Sequence, residues 1–395
     1  MSEDSMTLDK SAPGPTPCPF CGSQIQPWEA YCEGCGAEQV PTATSPEPVA
    51  EPARDSRSVH LPGARRAEPS EPAEPAEAER PTVCRECGGT VDADGYCEQC
   101  GAKAPTMREH WSESPAPWVG GVCDRGIRHP RNEDAMALAI DDQEPGRAVL
   151  VVCDGVSSSA DSDIASLAAA RTARDLLLQQ RPSGLGTEQS RQQAQLAALA
   201  EAVRAANEAV IVATAAKPAD PDQPVDPNAM GGSTASCTFA AAVVADGEIV
   251  HGSLGDSRIY WLADRGESRQ LSVDDSVAQM RIAAGVEREL AENGPQAHAI
   301  TKWLGRDAPD LRPTGGVLPV PGEGWLLVCS DGLWNYASTP EELETVVARA
   351  LVTDPANAEP TRLAEALVDW ANAQGGKDNI TVALARFGGQ ALPPG

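Results

Sequence analysis

Two kinds of residue in this 395-residue chain are placed to do chemistry. The first is cysteine in CxxC pairs: Cys18 and Cys21 followed by Cys32 and Cys35, then Cys84 and Cys87 followed by Cys97 and Cys100. One such turn presents two thiolates, and two turns facing each other make a tetrahedral sulfur site that suits Zn²⁺. Gly22, Gly36, Gly88 and Gly101 follow the pairs, as a knuckle turn requires where backbone amides approach sulfur. Modules this short have almost no core, so metal must supply their folding free energy. Redox-active CxxC pairs are the alternative, and neither module shows the βαβ pattern that chemistry uses.

The second kind is acidic and sits where apolar runs end. Glu133-Asp134 follows Arg131-Asn132, Asp154-Gly155 follows Val149–Cys153, Asp256 lies in Gly255–Arg258, Asp331-Gly332 follows Leu326–Ser330, and Asp378-Asn379 precedes Ile380–Val382. One Asp-Gly at a strand end is most often a hairpin turn. Several strand tips that converge, each carrying a charge that burial cannot leave unpaired, make a hard-oxygen site for Mg²⁺ or Mn²⁺.

The elements that must position these residues follow from apolar patterning. Buried strands are expected at Ala148–Cys153, Ser236–Ala245, Glu248–Ser253, Arg258–Leu262, Trp325–Cys329 and Ile380–Arg386. Helical spacing runs through Leu196, Leu199, Val203, Ala206, Val210 and Ala213, and again through Leu363, Ala366, Leu367 and Trp370. A third helix opens at Thr339-Pro340-Glu341-Glu342 with a capping box and a first-turn proline. Strands arrive in consecutive runs, which favours an α+β layering over a doubly wound parallel sheet.

Composition divides the chain near residue 118. Residues 36–83 hold nine prolines, nine acidic residues, five arginines and no aromatic ring. That mix cannot bury enough apolar surface to offset its ordering entropy. The expected organisation is a zinc ribbon at 16–38, a disordered Pro/Ala/Glu-rich linker at 39–82, a second ribbon at 83–103, a short linker at 104–117, and one large domain at 118–388. A formal charge of −27 disfavours nucleic acid and anionic lipid as partners. The first module strengthens that exclusion, because between Cys18 and Cys35 it carries Glu29 and Glu33 and no Lys or Arg. No apolar run reaches the ~18 residues of a membrane span, and the acidic N-terminus lacks a secretory signal. A cytoplasmic, monomeric protein is expected, with no membrane and no nucleic-acid partner.

The series Arg125–Asp134, Val152-Cys153-Asp154-Gly155-Val156, Gly231–Thr234, Gly255–Arg258, Leu271–Ser276, Ser330–Trp334 and Lys377–Thr381 resembles, in order, the blocks of the PP2C family of metal-dependent protein serine/threonine phosphatases. The resemblance implies a four-layer α-β-β-α sandwich of two antiparallel sheets, with a binuclear Mn²⁺ or Mg²⁺ site at one end. By the family pattern Asp154 bridges both ions, Asp331 and Asp378 complete the first, and Glu133 and the Gly155 carbonyl serve the second; Asp134 and Asp256 are further candidates. A flap is implied near Val273–Ala299. A pair of divalent ions acidifies a water for in-line attack on phosphorus, so no covalent intermediate is needed. A cysteine-dependent phosphatase is excluded, since the positions six after Cys123, Cys153, Cys237 and Cys329 are not Arg.

Three departures from the pattern matter. His129 stands where many members have a phosphate-binding Arg, which leaves the clamp to Arg128 or Arg131. Val156–Ser159 follows Asp154-Gly155 in place of the His-containing motif, so leaving-group protonation falls to His129 or to a water. Asn335 replaces a carboxylate near Asp331, which weakens a third ion site at Asp256. Expected catalytic residues are therefore Asp154, Asp331, Asp378, His129 and Arg128. The expected activity is hydrolysis of phosphoserine and phosphothreonine in proteins, by analogy those phosphorylated by bacterial kinases, with the ribbons docking a partner protein or positioning the enzyme. The alternative is a non-catalytic PP2C-like adaptor.

Overall fold

The computed structural model describes residues 16–17, 24–25, 83–84, 87–157, 159–215 and 234–388. The chain forms two units, Met1–Pro72 and Ala73–Gly395. In the first, β1 (Thr16–Pro17) pairs antiparallel with β2 (Gln24–Ile25), so the two strands bracket the positions of Cys18 and Cys21. Cys18, Cys21, Cys32, Cys35 and the expected linker at 39–82 lie outside the described residues.

The second unit runs β3 (His110–Ala116), β4 (Val119–Asp124), β5 (Ala135–Ile140), β6 (Ala148–Cys153), α1 (Ser162–Gln179), α2 (Glu188–Ala213), β7 (Ser236–Cys237), β8 (Phe239–Ala245), β9 (Glu248–Leu254) and β10 (Arg258–Ala263). It continues with β11 (Arg269–Gln270), α3 (Val277–Ala283), α4 (Arg288–Glu292), β12 (Leu304–Gly305), β13 (Thr314–Pro319), β14 (Gly324–Cys329), α5 (Asp331–Trp334), α6 (Pro340–Thr353), α7 (Pro360–Gln374) and β15 (Ile380–Phe387). One sheet has the order β11-β10-β14-β15-β4-β3 and the other β13-β9-β8-β6-β5. All their pairings are antiparallel.

Three apolar cores make the layers. Val149, Val151, Ala241 and Val243 pack on Ala165, Ala169, Leu199 and Val203 of α1 and α2. The opposite faces of the same strands, Leu150, Val152, Ala240 and Ala242, meet Ile259, Leu326, Val328 and Ala383 of the second sheet. Beyond that sheet, Leu327, Val382 and Leu384 cover Leu343, Leu363 and Leu367 of α6 and α7. Central strands β6, β8 and β14, buried on both faces, carry nearly unbroken apolar runs, which is why their sequences show no alternation. The four-layer α-β-β-α arrangement is the one expected.

Two local differences from expectation are informative. The run Ser236–Ala245 is broken at Thr238, whose backbone N–H leaves the ladder to donate to the Asp154 carbonyl at 2.8 Å while its Oγ1 accepts from Asp154 N at 2.9 Å. The interruption serves the site. Residues 110–116, read in sequence as part of a tether, form edge strand β3 against β4. The polar run Ser112–Ser114 hid it, yet Trp111 reaches the inter-sheet core and Glu113 Oε2 accepts from Leu138 N at 2.6 Å.

Candidate metal centre and cysteine cluster

The acidic residues gather because their strands end at the same edge of the sandwich. In the β5–β6 pair Ala135 opposes Cys153, so Asp134 and Asp154 emerge side by side. In the β14–β15 pair Cys329 opposes Val382, which brings Ser330-Asp331 alongside Asp378–Thr381. The turn from β9 to β10 supplies Asp256. Gly155 follows Asp154 because a Cβ there would lie 2.6 Å from the Glu133 carbonyl oxygen and 3.0 Å from Glu133 Cβ. Gly126, at φ 74°, likewise admits the Asp378 carbonyl, which a Cβ would meet at 2.0 Å.

Hydrogen bonds lock the two sheets together at this edge. Ser330 Oγ and Thr381 Oγ1 donate to Asp134 Oδ2 at 2.6 and 2.7 Å. Glu133 N donates to Asn379 Oδ1 at 2.7 Å, and Asn379 Nδ2 donates to the carbonyls of Arg125 and Arg131. Asp134 is fully buried and spends one oxygen on two hydroxyls, so it braces the cluster from behind.

The electrostatics are those of crowded anions. Burial raises the carboxyl of Asp154 well above its usual range, and Asp134, Asp331, Asp378 and Asp256 push it further. Asp331 is raised well above its range by burial, Asp378, Asp256 and Asp134. Burial lifts Asp256 to about 7, helped by Asp274, and Asp134 to about 6. Glu133 behaves oppositely. Burial alone would raise it, but hydrogen bonds from Ser162, Ser157 and Arg131 prevail and hold it low. Asp134 Oδ1 and Asp331 Oδ1 are buried without a hydrogen-bond partner. Orphaned carboxylate oxygens inside a cluster of mutually repelling carboxyls are what a pair of hard cations would satisfy.

The other expected site residues fall into place unevenly. His129 bridges two of the acids, with Nε2 3.2 Å from Asp378 Oδ1 and Nδ1 4.0 Å from Glu133 Oε2. Arg131 donates through Nε and Nη2 to Glu133 Oε1 at 2.8 and 2.5 Å, which commits it to that carboxylate. Arg128 is exposed and is held by its backbone N–H to the Gly376 carbonyl at 3.0 Å. Asn335 Nδ2 donates to Asp331 Oδ2 at 3.0 Å.

Sequence reasoning missed two residues. His298, in the expected flap, offers a ring nitrogen that groups with oxygens of Asp256 and Asp331, all within 4.8 Å of one another. Its ring lies 6.0 Å from that of Trp334. The signal was present, as it is one of only five histidines and falls in the flap segment. Arg258 is 2% exposed, a charge at the start of an apolar strand. It donates to Asp274 through Nε and Nη2, to Glu292 at 2.8 Å and to Ser338 Oγ at 3.0 Å, and lies 3.6 Å above the Trp334 ring. Asp274 and Glu292 stand near the two ends of the flap, so this one guanidinium anchors both.

The second cysteine module forms a separate cluster. Sulfurs of Cys84, Cys87, Cys97 and Cys100 lie within 4.8 Å of one another, with Cys84 to Cys100 at 3.7 Å and Cys87 to Cys97 at 3.5 Å. Gly88 and Gly101 take φ of 74° and 75°, the knuckle turns their positions implied. Amides of Cys100 and Gln99 hold the Cys97 thiol down to about 6. Cys123, Cys153, Cys237 and Cys329 are instead buried apolar residues.

Residues 127–370 match the sequence profile described as Protein phosphatase 2C, and the chain belongs to that family. It is 27% identical over 263 residues to a serine/threonine phosphatase stp of Listeria innocua, covering 66% of this chain and 92% of that one. It is 34% identical over 149 residues to the protein phosphatase PhpP of Streptococcus pneumoniae, covering 37% of this chain and 56% of that one. The crystal structure of the Mycobacterium tuberculosis serine/threonine phosphatase PstP/Ppp superposes with a TM-score of 0.52 at 26% identity, across 71% of this chain and 99% of that one. No helix among the described residues is long and apolar enough to cross a membrane.

Proposed function

We propose that the chain is a metal-dependent phosphatase that hydrolyses phosphoserine and phosphothreonine in proteins. The observation that carries this is the crowding of acids at the tips of two sheets, where Asp134, Asp331, Asp378 and Asp256 all raise Asp154 and where Asp134 Oδ1 and Asp331 Oδ1 are buried without a partner. The related bacterial chains that bear the name serine/threonine phosphatase support the substrate class, and proteins phosphorylated by bacterial kinases are the natural candidates.

Asp154, Asp331 and Asp378 would hold one divalent ion, and Asp154, Glu133 and the Gly155 carbonyl a second. When bound, such ions supply Lewis acidity and an acidified water nucleophile. The chain's own residues do the rest. Arg131 and Ser162 fix Glu133 Oε1 and hold the group as a carboxylate. His129, set between Glu133 and Asp378, is placed to hold the proton that the departing serine or threonine oxygen needs. Arg128, exposed on the loop tied to Gly376, offers a cation to the incoming phosphate. Asp256, Asp331 and His298 form a further ligand set in which an imidazole replaces the carboxylate that Asn335 lacks.

Each cysteine module is proposed to hold one structural Zn²⁺ and to dock a partner protein or position the enzyme, and the free thiols of Cys84, Cys87, Cys97 and Cys100 fit a reducing compartment such as the cytoplasm. The test is turnover of phosphothreonine and phosphotyrosine peptides with Mn²⁺ and with EDTA. Mn²⁺-dependent turnover of phosphothreonine is expected. A chain that binds phosphopeptides and never turns them over is an adaptor instead.

A further inference from the structure

Two residues after Ala104, just past the second module, the chain makes a single stapled turn. Thr106 N donates to Glu109 Oε2 at 2.7 Å, Glu109 N donates to Thr106 Oγ1 at 3.2 Å, and Glu109 and His110 both return their N–H groups to the Thr106 carbonyl. The turn is fastened to the loop ahead of Glu133, because Arg125 N donates to the Glu109 carbonyl at 2.7 Å. Its exposed crest is Met107, and its inward residue is Arg108.

The Arg108 guanidinium lies 5.0 Å from the centre of the Trp111 ring, which fixes its direction. Nη1 donates to the Asp134 carbonyl at 2.6 Å; Nη2 donates to the Asp163 carbonyl at 3.0 Å and reaches Ser166 Oγ at 3.5 Å. Ser166 Oγ in turn donates to the Glu133 carbonyl at 2.5 Å. The forked cation therefore spans the backbone of Glu133-Asp134 and the first turn of α1. That turn also supplies Ser162, whose Oγ donates to Glu133 Oε1 at 2.6 Å. Only a planar fork with several donors in fixed directions reaches all of these oxygens at once.

We propose that Arg108 is a positioning residue for the metal-ligating segment, pinning Glu133-Asp134 to the start of α1 from a turn outside the phosphatase sequence blocks; the role rests on the divalent-ion reading above. Arg108 touches neither substrate nor reacting atoms. It acts by holding the peptide on either side of Glu133 in register with Ser162 and Ser166, so that the Glu133 carboxylate meets a cation without first having to order. Outer residues that orient a ligand in this way typically contribute 10- to 100-fold in metal affinity. The catalytic unit thus begins at about Thr106, inside the stretch read in sequence as a linker.

The experiment is Mn²⁺ titration by calorimetry of the zinc-loaded full-length chain as wild type, Arg108→Ala, Arg108→Lys and Ser166→Ala, with thermal melting of each protein free of Mn²⁺. Expected are about tenfold weaker Mn²⁺ binding in Arg108→Ala, a smaller loss in Arg108→Lys, which keeps the charge and loses the fork, and a loss in Ser166→Ala. Lower melting temperature with Mn²⁺ affinity unchanged in Arg108→Ala assigns a purely structural role and overturns the proposal. Should Arg108→Ala fail to fold, Arg108→Lys and Ser166→Ala decide, and wild-type affinity in both overturns it. A wild type that binds no Mn²⁺ sinks the divalent-ion reading itself, a result distinct from unchanged binding in the variants.

Discussion

Thr381 Oγ1 donates a 2.7 Å hydrogen bond to Asp134 Oδ2 across 247 positions of the chain, and so ties the last strand of one sheet to the first acid of the other. The Asp134 carboxyl is fully buried, so each hydroxyl it receives offsets part of a desolvation cost. Thr381→Val keeps the shape and removes one donor. A loss of about 1–3 kcal/mol is expected, read as a fall of several degrees in melting temperature, with Asp134 titrating higher still.

His251 gives the inter-sheet core a pH dependence. Burial, with Arg269 adding to it, lowers this imidazole to about 4, so the folded protein holds it neutral. The unfolded chain takes up its proton at about 6.5. His251 therefore contributes stability that is complete above about pH 6.5 and is lost as pH falls toward 4, at most about 3 kcal/mol. His251→Leu should flatten the fall in melting temperature between pH 7 and 5 relative to wild type. Parallel curves for the two proteins count against a buried neutral histidine.

The aspartate cluster titrates with the opposite sign. Asp256 at about 7 and Asp134 at about 6 lie above the ordinary carboxyl range, mainly through burial, so ionising them in the metal-free fold costs stability. That penalty is absent below about pH 4, accrues as pH rises, and is complete above about pH 6 for Asp134 and about pH 7 for Asp256. A divalent ion relieves it. The rise in melting temperature on adding Mn²⁺ should be larger at pH 8 than at pH 6, and an equal rise at both contradicts the cluster as the binding site.

The cysteine modules predict a zinc count. Two Zn²⁺ per full-length chain are expected by elemental analysis, and one in either Cys18→Ser or Cys97→Ser. Cys18→Ser should leave phosphopeptide hydrolysis within about twofold. Loss of hydrolysis in that variant contradicts the independence of the first module from catalysis.

Sequence patterning exposed β6, β8, β9, β10, β14 and β15, most of them as apolar runs, and it exposed the acids at their tips; it passed over the buried central strand β4, whose Gly120-Gly121 interrupts the apolar pattern. It did not reach β3, whose polar residues face outward from an edge and resemble a tether; with it went Arg108. Helix α1 escaped too, since alanines and serines at 162–173 pack closely without an aliphatic stripe. His298 and Arg258 were visible as residue types, but their partners lie far off in the chain. Only the folded flap brings His298 to Asp256 and Asp331.

The central claim, that strand-tip acids hold a pair of divalent ions, is tested most directly by Mn²⁺ stoichiometry in wild type and in Asp154→Asn. Two ions bound by the wild type, and neither held tightly by a folded Asp154→Asn, is the predicted result, because Asp154 serves both. An Asp154→Asn protein that still binds two Mn²⁺ with wild-type affinity contradicts it.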